Sequence, residues 1–173
     1  MLHVDGSPEF VGQVRGALEH IDPTAMVMDR AVCFDTGRSF ERHPRGHELL
    51  RRLVESGYRV VIIRGTSSRC EPTYPNGMRT GSTVVWNFGQ VPTNAPACFC
   101  IGLGHELGHA DQLIRGVVGA ADLYPAGGGS SGFSMRLEML NITGRYGVET
   151  WDGVTENQLR DEHVPRQAAR PSY

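Results

Sequence analysis

Residues 104–111 read Gly-His-Glu-Leu-Gly-His-Ala-Asp, a His-Glu-x-x-His sequence inside an apolar segment running from Cys98 to about Val117. On a helix, His105 and His109 stand one turn apart, so both imidazoles project to one side and can bind one metal ion. Tetrahedral zinc in a catalytic site takes three protein ligands and leaves one position for water. Glu106 points about 100° round the helix from His105, where it reaches that water rather than the metal and can act as general base in peptide hydrolysis. This is the chemistry of a zinc metallopeptidase, with Zn2+ as the expected cofactor and a protein or peptide as the substrate.

The third ligand must come from elsewhere. A third histidine at the metzincin spacing fails, because Gln112 and Arg115 stand where Gly and His are needed, and no Gly-Thr-x-Asp follows. The remaining option is a downstream Glu on a second helix. Glu138, between Leu137 and Met139, is the best placed, since a lone charge in apolar surroundings wants a partner. The alternatives are a solvated helix face or an ion pair with Arg136 or Arg145. Asn141, close to one turn on, is a candidate to orient a ligand histidine from behind. Gly108 costs the helix about 1 kcal/mol against Ala, which close approach of another backbone would justify, although a tolerated Gly explains it equally well. His3, His20, His43, His47 and His163 lack comparable spacing and read as surface or core residues, with His163 able to reach the site in the fold.

The elements that must position these groups follow from periodicity and punctuation. Phe99, Leu103, Leu107, Ala110, Ile114 and Val117 form a helical stripe. His105 lies about 200° from Leu103, so the helix is expected to meet the core on one side and the site on the other. Ser7-Pro8-Glu9 starts an earlier packing helix that Asp22-Pro23 stops. Residues 24–40 fit two short strands or a broken helix. Residues 44–56 read as an amphipathic helix with Gly57 as its left-handed cap, followed by a strand over 58–63. Residues 65–81, rich in Gly, Pro, Ser and Thr, read as a loop, and 82–88 as a strand pairing with 58–63. A free edge on that last strand would let an extended peptide pair with it, with Trp86 as a substrate contact; the plainer alternative is a half-buried strand. Residues 90–96 read as a turn with Asn94 as a possible cap, and 120–132 as a flexible Gly/Ser-rich loop. Residues 134–143 return to helical spacing with Met135, Met139 and Ile142 on one side, and Thr155-Glu156-Asn157-Gln158 fits a capping box opening a last helix through Glu162.

Composition bounds the rest. At 173 residues with 39% hydrophobic content, one compact domain over 1–173 is the expectation, of α+β class: a small sheet, an active-site helix and C-terminal helices. The net charge is −2 and all 17 basic residues are scattered arginines, which argues against a nucleic-acid partner. No apolar run approaches membrane-spanning length and the first residues are too polar for a secretory signal, so a monomer without a membrane partner is expected. Cys98 and Cys100 read as small buried thiols.

The same segments resemble the NleD-like bacterial effector family of zinc metallopeptidases. Residues 6–11 are similar to its opening, 46–57 to its Gly-x-x-Leu-Leu helix, and 105–110 to its zinc motif. Residues 138–144 resemble the segment carrying a Glu pair, with Met139 in place of the second Glu. Thr155-Glu156-Asn157-x-Leu159-Arg160-x-Glu162 and the closing Arg170-Pro171-Ser172-Tyr173 resemble its C-terminal signature. The resemblance implies a zincin-like domain, a protein secreted or translocated into a host cell, the alternative being the bacterial cytoplasm, and a host signalling kinase as target. It also implies that Arg160, as a substrate contact, and Tyr173 lie near the site. Tyr173 or Tyr146 would then donate to the oxyanion of the tetrahedral intermediate, the alternative being a structural clamp on the tail. Possible insertions at 30–42 and at Gly127 would alter the substrate groove. The rival expectation is a zincin-fold binding module or toxin domain that engages a partner without cutting it.

Overall fold

The computed structural model describes residues 1–73, 80–89, 99–119, 122–123 and 133–171, which form five helices, a six-stranded sheet and a two-stranded hairpin, an α+β arrangement. The order is β1 (Leu2–Asp5), α1 (Pro8–Ile21), β2 (Ala25–Met28), β3 (Ala31–Phe34), α2 (Pro44–Glu55), β4 (Arg59–Arg64), β5 (Arg69–Thr73), β6 (Gly81–Trp86), α3 (Phe99–Ile114), α4 (Met135–Thr143), β7 (Arg145–Tyr146), β8 (Glu149–Thr150) and α5 (Glu156–Glu162). The large sheet runs β2-β3-β1-β4-β6-β5, with β1, β4 and β6 parallel and the outer strands antiparallel to their neighbours. Among the described residues no helix is long and apolar enough to cross a membrane.

Local chemistry explains most of these elements. Ser7 accepts a hydrogen bond from the Phe10 amide and Pro8 occupies the first turn of α1, while Phe10, Val14, Leu18 and Ile21 face the core. The ambiguous residues 24–40 resolve into the hairpin β2–β3, whose Asp29 and Arg30 both take positive φ. In β4 alternate residues Val60 and Ile62 are fully buried, the period of a half-covered strand. Gly57 does not cap α2: the helix ends at Ser56 in extended backbone, and positive φ among the described glycines is confined to Gly116, Gly144 and Gly147. The start of α2 lacks a side-chain cap of its own. Glu162 from α5 supplies one, accepting from the amides of Arg45 (2.7 Å) and Gly46 (3.0 Å).

The largest departure from the sequence reading is β5. Residues 69–73 form a strand on the edge of the sheet rather than part of a loop, and cover the edge of β6. Strand β6 is therefore interior, paired with β4 and β5 on its two sides, and it cannot offer a free edge to a peptide. Pro72 hid this strand, because Pro argues against an interior strand but is tolerated at an edge. Cys100 is disulfide-bonded rather than a thiol, and Cys98, Asn94 and most of the 120–132 segment lie outside the described residues.

Two ion-pair systems fix the helices. Asp111, fully buried on α3, accepts a fork from Arg52 of α2, with Nε at 3.1 Å and Nη2 at 2.9 Å. Asp111→Ala removes that fork while Arg52 keeps Glu48 as a partner, so the expected cost in urea unfolding is about 1.5–3 kcal/mol, and a loss under about 0.5 kcal/mol would show that the fork adds nothing to stability. Asp122 accepts from the Ser134 hydroxyl, the Gly119 amide and Arg136. Burial pushes its carboxyl up, but these donors outweigh burial and hold it below the ordinary value of 3.8. A depressed folded value means that the unfolded chain takes up the proton first. The contribution of Asp122 is therefore present above about pH 4 and lost as pH falls through its folded value. The melting-temperature deficit of Asp122→Asn should accordingly be largest near neutrality and shrink below pH 4.

Candidate metal centre

Helix α3 packs against β5 and β6 on the sheet and against α1, α2, α4 and α5. It is buried on nearly every face, including the one that carries the motif: His105 and Glu106 are 7% exposed and His109 is 0%. The side expected to face the site is covered by α4 and α5. Two glycines let the neighbours approach: a Cβ at Gly104 would lie 2.6 Å from the Leu159 side chain of α5, and one at Gly108 would lie 2.1 Å from Asn141 Oδ1 of α4. The close approach that Gly108 permits is thus to a side chain rather than to a backbone.

The structure brings His105, His109 and Glu138 together as a buried group able to hold a metal ion. The two Nε2 atoms are 3.2 Å apart, and Glu138 places Oε2 at 3.2 Å from His105 Nε2 and Oε1 at 3.3 Å from His109 Nε2. Ligands at about 2.0–2.2 Å in a tetrahedron stand roughly 3.3–3.6 Å from one another, so the spacing fits a shared ion. Glu138 lies on α4, which Ser134 caps; this helix buries Leu137, Glu138, Leu140, Asn141 and Ile142. Of the Met135, Met139 and Ile142 side read from spacing, Ile142 is buried and Met135 is exposed.

Hydrogen bonds behind the histidines set which nitrogen is free. Gln112 donates its amide to the Leu137 carbonyl (3.0 Å), which turns its Oε1 toward His109 Nδ1 at 2.8 Å. That oxygen can only accept, so Nδ1 carries the proton and Nε2 keeps its lone pair. His105 Nδ1 faces Glu156 Oε2 at 2.9 Å with the same consequence. Two lone pairs and a carboxylate then converge with no proton between them, an arrangement that calls for a positive charge. Without a metal a proton answers that call. Burial pushes His105 down, yet Glu138 and Glu156 overcome it and bring its pKa to about 10. Burial pushes Glu138 up, and the two histidines hold it well below the carboxylate range. A donor set of two imidazoles and one carboxylate suits zinc.

Beside the group stands Glu106. Burial raises its pKa, the charge of Glu138 adds to the rise, and the histidines and the Cys70 amide of β5 oppose it. Its Oε2 is buried without a hydrogen-bond partner. Phe133 stacks on the His109 ring with centroids 4.2 Å apart and closes that side.

Other expected site residues fall elsewhere. Trp86 is 3% exposed and packs beneath Gly102, where a Cβ would meet its ring at 2.8 Å; it is a core residue and not a substrate contact. Arg160 is also buried, and its Nε bonds Glu156 Oε1 at 2.7 Å, so it braces the carboxylate behind His105 instead of facing a substrate. Tyr146 is exposed on the β7–β8 hairpin and joins none of the polar contacts of the group. Tyr173 lies outside the described residues. His163 is engaged by the Pro165 carbonyl and stacks on His20, away from the group. Asn141 donates to the His105 backbone carbonyl (2.8 Å) while the ring belongs to Glu156. Gly108→Ala would displace Asn141 and is expected to weaken metal binding tenfold or more; unchanged affinity in a chelator competition would make Asn141 a bystander.

The residues missed by sequence reasoning are Glu156 and Gln112. Glu156 sits in the recognised capping box, where its pairing with Arg160 four residues on resembles an ordinary surface pair. Compared with known proteins, the chain matches no family model, no curated protein and no solved structure.

Proposed function

We propose that the chain is a zinc-dependent endopeptidase in which His105, His109 and Glu138 hold the metal and Glu106 is the general base. The observation that carries this reading is the buried convergence of two Nε2 lone pairs and one carboxylate beside a carboxylate oxygen that lacks a partner. A structural zinc site is closed by four protein ligands, whereas three ligands with a base alongside is the catalytic pattern. When bound, zinc supplies the positive charge that polarises a carbonyl and acidifies water.

The remaining work falls to the side chains. Glu106 Oε2 is the atom that takes the proton from the attacking water and returns it to the leaving amine. Its raised pKa brings it closer to the working range of an acid–base group at neutral pH. Gln112 and Glu156 keep the ligand histidines in the tautomer that points Nε2 inward. Strand β5, at the edge of the sheet and bonded to Glu106 through the Cys70 amide, is the surface on which an extended substrate would add as a further strand. The segments similar to NleD-like effectors extend the proposal to an exported protease acting on a host signalling kinase.

The test is to incubate the zinc-loaded chain with a proteome-derived peptide library and sequence the new termini. Cleavage that a chelator abolishes and added zinc restores is expected. Absence of any cleavage with one zinc bound per chain would favour a binding module instead.

A further inference from the structure

The two histidines are held in different ways. His109 takes its partner, Gln112, from its own helix, and Gln112 is turned by the Leu137 carbonyl of α4. The ring of His105 depends on Glu156, a residue of α5. The Asn141 amide nitrogen is 3.4 Å from His105 Nδ1 but is already committed to the His105 carbonyl.

Glu156 is itself fixed at every oxygen. Arg160 Nε donates to Oε1 at 2.7 Å, while His105 Nδ1 and Arg170 Nη1 approach Oε2 at 2.9 and 3.2 Å. At 2% exposure the carboxylate cannot turn to water, and a buried charge of this kind is tolerated only while its partners stay in place. The two arginine partners belong to one segment. The Gln167 backbone N–H donates to the Arg160 carbonyl (2.9 Å), and Asn157 exchanges hydrogen bonds with the Arg170 backbone at 2.6 and 2.9 Å. The far end of α5 is pinned by Glu162 on the first turn of α2. Residues 156–171 therefore connect the frame of the fold to the back of a single ligand.

We infer that Glu156, braced by Arg160 and Arg170, is a positioning residue of the metal centre, and that it couples metal binding to docking of the α5 segment against α3. The inference rests on the metal-site reading proposed above. A metal fixes His105 from the Nε2 side and Glu156 fixes it from the Nδ1 side, so each stabilises the arrangement that the other requires. Linkage of this kind is reciprocal. Loss of Glu156 must weaken the metal, and the metal must tighten α5.

The experiment measures zinc affinity of the full chain by competition with a chromogenic chelator for wild type, Glu156→Ala and Glu156→Gln. It adds amide exchange over residues 156–170 of wild type with and without zinc. Outer partners of ligand histidines typically contribute 10–100-fold in affinity. We expect a loss of that size for Glu156→Ala, an intermediate value for Glu156→Gln, which keeps an acceptor oxygen, and slower exchange with zinc. Affinities of both variants within about twofold of wild type would overturn the inference and leave the metal site standing. If Glu156→Ala does not fold, exchange in wild type decides, and rates that zinc does not change overturn the coupling. Failure of wild type to bind one zinc would instead overturn the metal-site reading, and this inference with it.

Discussion

Glu106→Gln is expected to lower peptide turnover by about 10²–10⁴-fold, the usual contribution of a positioned general base, while the chain keeps one zinc. The amide has nearly the shape of the carboxylate and can still accept from the Cys70 amide, so the helix and the ligand group should remain intact. What it loses is an oxygen able to take a proton. Oε2 of Glu106 is buried and without a partner, whereas the Glu138 oxygens face the two histidines. The Glu138 oxygens also lack a hydrogen-bond partner but lie 3.2 and 3.3 Å from the histidine Nε2 atoms, and Glu156 is held at both of its oxygens. Rates on a cleaved library peptide, measured alongside metal content, check the expectation. Full activity in the variant would move the base elsewhere, and loss of zinc would place Glu106 among the ligands.

Removing the metal is expected to lower the melting temperature by about 8–16 °C. A ligand present at a thousand times its dissociation constant stabilises the folded state by about 4 kcal/mol. In a domain of this size each kcal/mol shifts the midpoint by roughly 2–4 °C. The physical source is the convergence of acceptors: two Nε2 atoms 3.2 Å apart and a carboxylate within 3.3 Å repel one another unless a cation or a proton lies between them. Glu138→Ala should melt at the same temperature with zinc or with chelator, because two histidines alone retain little affinity. A scan of wild type that does not respond to zinc, or a full response in Glu138→Ala, would count against this ligand set.

Much of the frame was readable from local rules. Ser7 and Pro8 began α1, Thr155 and Gln158 formed the capping box of α5, and the β-branched run ending at Ile63 marked β4, since in each case a few neighbouring residues carry the cause. Where the cause lay in a distant partner, the local signal misled. Residues 69–73 have the composition of a loop and become a strand because β6 offers them a ladder. Gly57 has the composition of a cap, but Ser56 ends α2 in extended backbone before it. Spacing put Met135, Met139 and Ile142 on one side, whereas packing against α3 buried Leu137, Glu138 and Asn141.

The motif at the centre of the chain shows the same division. Helical spacing by itself determined that His105 and His109 share a face and that Glu106 stands beside them, because a turn of helix is a local geometry. Apolar surroundings were enough to single out Glu138 as the charge in need of a partner. Only the tertiary structure decided that Glu138 meets both histidines, that Gln112 and Glu156 select their tautomers, that Arg160 braces Glu156, and that the sheet edge is β5 rather than β6. Each of these is a contact between elements far apart in the chain, and the periodicity of one element says nothing about which residue of another will face it.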